Sequence, residues 1–205
     1  MIVSFKEFLI PIDQKNRVKI GLIGMVIVNP ALKEQLKNWA LSIFLIPWAA
    51  YFLINYGKYT LLDHINLIIH EAGHFFFMFF GSLIHAAGGT LMQIIFPLFL
   101  AFYFLRHGYR PGVQLFIFWL GQNLINISVY AADANKLKLP ILGNGKHDWL
   151  YMLGRFKLLE SADLVGGIFF GLAVLVFIWA ILTPLWFDRI NPTVSDHLSR
   201  QSMAN

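Results

Sequence analysis

The sequence predicts an all-α fold: a polytopic helical membrane protein with about five transmembrane helices, one of which can instead be re-entrant. Three observations carry this. Of the 205 residues, 58% are hydrophobic and only 13% are charged, about half the charged share of a soluble domain. That is more apolar surface than a core of this size can hide. The apolar residues also gather in long segments separated by short polar stretches. A disordered chain needs the opposite balance, low hydrophobicity with high charge.

The elements follow in order. Residues 1–38 mix Lys6, Lys15, Arg17, Lys19, Lys33 and Lys37 with Glu7, Asp13 and Glu34, and form an N-terminal cytoplasmic or interfacial segment. Glu7, Pro11 and Asp13 break the early apolar run, so it does not read as a signal peptide. Ile20–Val28 is too short to span and suits a strand or an interfacial segment. A transmembrane domain over 39–187 contains five apolar segments. They are Trp39–Tyr56, Leu61–Phe80, Thr90–Leu105, Val113–Ala132 and Leu164–Phe187. The third is short and contains Pro97, hence the re-entrant alternative. Residues 81–90 read as a loop, in which Gly88 and Gly89 can form a strand-like edge. Residues 133–163 are polar enough to leave the membrane, with Asp148 able to cap a short helix. Residues 188–205 form a C-terminal tail.

Eleven Lys and Arg fall on the side shared by the N-terminus, the 81–90 loop and the 133–163 loop, against five on the other. This excess predicts a cytoplasmic N-terminus and an outside C-terminus. The net charge of +5 therefore suits basic loops facing anionic lipid. No basic stripe with interleaved aromatics points to nucleic acid, so none is expected as a partner.

The chemistry lies in the second segment, which contains His70-Glu71-Ala72-Gly73-His74. This is H-E-x-x-H. Two His four residues apart share a helical face and can reach one Zn²⁺, while Glu71 can act as general base toward water at the metal. Glu71 is the only Glu between Glu34 and Glu160, and an ionisable residue inside a span is costly enough to suggest function. The chain has no Cys, so a metal must be held by His or carboxylate. The other His are singletons, which argues against a di-iron site built from paired-His boxes.

A hydrolytic zinc site usually has three protein ligands. His74 lies roughly 10 Å from the end of its segment near Gly81. If the fourth segment continues to Leu139, Asp133 lies roughly 9 Å from that end. The matching depth makes Asp133 the first choice for third ligand. The alternative is the pair His147-Asp148, which can fold back over the metal from its loop. Asn123 and Asn126 share a helical face and can glue helices together, contact substrate, or stabilise an oxyanion.

An H-E-x-x-H inside a transmembrane segment, followed two segments later by Asn126 and then Asp133, resembles the site-2 protease-like intramembrane zinc metalloproteases. The resemblance covers about residues 61–135, the catalytic core it implies. It implies a bacterial inner-membrane zinc endopeptidase that cleaves a membrane-protein substrate in or beside the bilayer. His70, His74 and Asp133 would be ligands and Glu71 the base. This chain departs from the family pattern around Asp133, with no Pro before it and no Gly after it. Two other classes compete with this expectation. One is a non-catalytic scaffold that binds membrane helices. The other is a transporter using His70, Glu71 and His74 as a metal or proton relay.

Overall fold

The computed structural model describes residues 30–140 and 147–190. Among them are seven α-helices and no strand: α1 Pro30–Ile54, α2 Leu61–Phe77, α3 Ser82–Arg106, α4 Arg110–Ala132, α5 Asp148–Arg155, α6 Ala162–Ile181 and α7 Thr183–Ile190. The chain divides into Met1–Lys37, of which only the start of α1 is described, and Asn38–Asn205, which holds the rest of the described residues. The Ile20–Val28 expectation lies outside the described residues. The all-α expectation is met.

Among the described residues four stretches are long and apolar enough to cross a membrane, Gln35–Ile54, Ser82–Arg106, Arg110–Ala132 and Leu159–Ile181; this is one fewer than the five expected, and the second segment, Leu61–Phe80, is the one not among them. The third sequence segment is longer than expected. It starts at Ser82, and the 81–90 loop does not exist. Gly88 and Gly89 are helical, neither a strand edge nor a loop. A 3-10 turn, Met78–Phe80, and Gly81 make the reversal from α2 to α3; Gly81 has φ 87° and ψ 162°, a conformation open essentially only to glycine. The last segment is shorter than expected and stops at Ile181; a separate short helix, α7, follows.

Helix α4 lies at the centre: 61% of its apolar window is buried, against 22–33% for the other three spans. Helices α3 and α6 flank it, and α2 packs on α3. In lipid, apolar burial does not drive helices together, so close packing of small residues and polar contacts must do so. Both occur here. Gly121 of α4 faces the Phe177 ring of α6, and Gly166 of α6 faces Ser128 and Ala132 of α4. Ser128 Oγ donates to the Gly166 carbonyl at 2.7 Å. Gln114 donates to Ser42 Oγ at 2.8 Å, and Ser42 donates to the Ile181 carbonyl at 2.7 Å, tying α4, α1 and the end of α6 together. Outward faces are apolar, with Phe44, Trp48, Ile68, Phe79, Leu164 and Leu175 exposed. Such surface is a liability in water and ordinary against lipid.

Helices α2 and α3 cross backbone to backbone at Gly73 and Gly88. A Cβ on Gly73 would collide with the Gly88 carbonyl, and nothing flexible is there to yield. Gly73→Ala should therefore destabilise the protein by about 1–3 kcal/mol. Gly167→Ala, where a Cβ meets nothing within 4 Å, should be neutral or slightly stabilising. Thermal unfolding in detergent micelles compares the two. Equal melting temperatures for both variants would contradict the crossing.

Candidate metal centre

Helix α2 turns one polar stripe inward. Asp63, Asn66, His70 and Gly73 are buried, at spacings of three, four and three residues. His74 is half-buried one turn beyond His70. Gly89 of α3 makes room for the first imidazole: a Cβ there would overlap the His70 ring. The stretch 133–161 brings a third group. Asp148 Oδ2 lies 3.1 Å from His70 Nε2 and 3.2 Å from His74 Nε2. These three ligand atoms all fall within 4.8 Å of one another.

Each imidazole is oriented by its other nitrogen. His74 Nδ1 lies 2.8 Å from the His85 carbonyl, which can only accept, so Nδ1 carries the proton. His70 Nδ1 lies 3.0 Å from Gln93 Oε1 and donates to it. The neutral rings therefore aim both Nε2 lone pairs at a carboxylate oxygen. Three acceptors facing one another need a positive charge among them. Two of the three ligand-atom pairs, those of Asp148 at 3.1 and 3.2 Å, also come close to the edge of a zinc tetrahedron, roughly 3.4 Å for bonds near 2.1 Å. A backbone carbonyl or amide behind each ligating imidazole is the usual support of a zinc-bound His. The residues thus fit a zinc ion.

Asp148 is further held by Tyr130, whose hydroxyl donates to Oδ2 at 3.3 Å and lies 3.2 Å from the Asp148 backbone nitrogen. Burial pushes the Asp148 carboxyl up, but when His70 and His74 are protonated their Nε2–H groups donate to it, more than offset this and hold it well below the ordinary carboxylate range. Glu71, next after His70, is exposed, and no side-chain hydrogen bond engages it among the described residues. It is thus accessible from outside the bundle.

The first choice for third ligand is corrected. Asp133 does not join His70 and His74. Helix α4 ends at Ala132 rather than Leu139, so the depth argument fails. The Asp133 carboxylate accepts instead from the backbone nitrogens of Lys138 and Leu139, both at 3.0 Å, and closes the turn after the helix. The alternative pair splits. His147, not Asp148, is the N-cap of α5, and its Nδ1 accepts from Leu150 N at 3.3 Å. Burial lowers the His147 imidazole below its ordinary value, in keeping with a neutral acceptor. The capping duty expected of Asp148 falls on its neighbour, which leaves the Asp148 carboxylate free for the cluster.

The two asparagines are turned inward. Asn126 Nδ2 donates to Asp63 Oδ1 at 3.0 Å, and its Oδ1 accepts from Gln93 at 2.8 Å. Both ends of its amide are thus engaged inside the bundle, away from any substrate role. Asn123 is fully buried and donates to the Trp119 carbonyl at 3.0 Å. Sequence reasoning missed Asp63 and Tyr130. The signal for Asp63 was present, an acid three residues after Thr60 at the mouth of an apolar segment, the pattern of a capping box.

Fold and cluster together define a helical bundle of membrane-spanning character with a candidate His₂-carboxylate metal centre between α2 and α5. No protein family, curated protein or solved structure matches the chain.

Proposed function

We propose that this protein is a zinc-dependent intramembrane endopeptidase, similar in its H-E-x-x-H motif to the site-2 protease-like enzymes. One observation supports it above the rest: the motif's two imidazoles converge with Asp148, the three ligand atoms lying within 4.8 Å of one another, and Glu71 follows in the same helix. His70, His74 and Asp148 would hold the ion. Bound there, zinc supplies Lewis acidity toward water and the scissile carbonyl. Glu71 accepts the proton from the attacking water and delivers it to the leaving amine. A helical substrate hides its amides in its own hydrogen bonds, so it must unwind before cleavage. With Leu61–Phe80 taken as a fifth span, the Lys and Arg excess favours a cytoplasmic location for the 133–163 stretch that carries Asp148.

The test uses purified protein in liposomes with a transmembrane peptide carrying a Gly-Pro break in its cytoplasmic half. Elemental analysis should give about one zinc per chain. Mass spectrometry should show cleavage that 1,10-phenanthroline stops and added Zn²⁺ restores. Zinc-loaded protein that leaves the peptide intact would overturn the hydrolase reading; protein that takes up no zinc would overturn the metal centre.

A further inference from the structure

We propose that Asp63, seven residues before His70, is a positioning residue that fixes the tautomer of His70 through a one-way chain of amides. The role in metal binding rests on the metal-centre reading above; the tautomer itself does not.

Asp63 is buried, at 5% exposure, and its carboxylate is saturated by donors. Oδ2 accepts from the Thr60 backbone nitrogen and the Thr60 hydroxyl, both at 2.6 Å. Oδ1 accepts from Gln122 at 2.9 Å and from Asn126 at 3.0 Å. A carboxylate can only accept, so Asn126 must turn its NH₂ toward Asp63 and its carbonyl away. That carbonyl then requires the NH₂ of Gln93, which it receives at 2.8 Å. Gln93 is left with its carbonyl toward His70 Nδ1, at 3.0 Å. Nδ1 must therefore carry the proton, and Nε2 keeps its lone pair for the cluster. Reversing any link would set two acceptors or two donors face to face.

A second chain reaches the same oxygen with the same sense. Trp119 Nε1, which can only donate, gives to Asn66 Oδ1 at 2.9 Å. Asn66 gives to Gln122 Oε1, and Gln122 gives to Asp63 Oδ1. This chain has a donor-only group at one end and an acceptor-only group at the other, so its direction is fixed twice. It keeps Gln122 from competing for the Asn126 carbonyl. Six buried or half-buried amides and rings of α2, α3 and α4 thus point their protons toward one carboxylate.

The experiment is ¹⁵N-histidine NMR on the metal-free, full-length protein in micelles, with zinc affinity measured in parallel. Wild-type His70 should show the Nδ1–H tautomer. Asp63→Ala frees Asn126 and Gln93 to flip, and His70 should shift toward Nε2–H, with zinc affinity falling about 10- to 100-fold. Asn126→Leu cuts the same chain but leaves the Asp63 bonds to Thr60 and Gln122, so it serves if Asp63→Ala does not fold. Adding Gln93→Glu to Asp63→Ala restores an acceptor at Nδ1 and should return both the tautomer and the affinity. A purely structural role for Asp63 would not be rescued from position 93. Persistence of Nδ1–H at His70 in folded Asn126→Leu protein would overturn the proposal. Wild-type protein that shows the expected tautomers yet binds no zinc would instead count against the metal centre alone.

Discussion

Replacing Glu71 by Gln should remove the proposed peptide-bond hydrolysis while leaving zinc in place. The expected loss is about 10²–10⁴-fold in rate, the usual worth of a positioned general base. The amide keeps the size and hydrogen-bonding reach of the acid but cannot take a proton. The metal should stay, because the ligand group consists of His70, His74 and Asp148 and does not include Glu71. Cleavage rate and zinc content, measured on one preparation, separate the two effects. A variant as active as wild type would sink the proposed mechanism. So would one that loses zinc and activity together, since Glu71 would then be a ligand.

The second large effect distinguishes two aspartates. Asp148→Ala removes the only carboxylate that, among the described residues, faces both imidazoles and should weaken zinc binding beyond the roughly 10- to 100-fold typical of losing a supporting residue. Asp133→Ala should keep zinc affinity within about 10-fold, the lower end of that range. It should instead lower stability by about 1–3 kcal/mol, because two backbone N–H groups of the 133–139 turn lose their acceptor. Competition against a chelating dye, beside thermal unfolding, reads both quantities. The opposite pattern, with zinc lost from Asp133→Ala and kept by Asp148→Ala, would return the ligand role to Asp133.

Composition and segment length made the helical class legible, because lipid-facing helices must be apolar along most of their length. The His70–His74 pair was legible for the same local reason, since a four-residue spacing fixes a shared face. The carboxylate that faces that pair was not, because its position depends on where α4 stops. Asp133 stops that helix by binding the backbone nitrogens of Lys138 and Leu139, a tertiary choice that periodicity does not show. A similar local competition decided α5, where His147 took the cap and released Asp148. The start of α3 was misjudged because Gly88 and Gly89 look like loop residues, whereas they serve a close helix crossing and the seat of the His70 ring. Asp63 escaped notice because its partners come from two other helices.

The unequal lengths of α2 and α3 have a consequence for the surrounding lipid. Helix α2 with the 3-10 turn Met78–Phe80 measures about 32 Å, near a hydrocarbon core of about 30 Å, whereas the 25 residues of α3 measure about 38 Å. In a bilayer, α3 would meet that thickness by tilting. Because α2 and α3 cross backbone to backbone at Gly73 and Gly88, membrane thickness would then bear on the helix that carries His70 and His74.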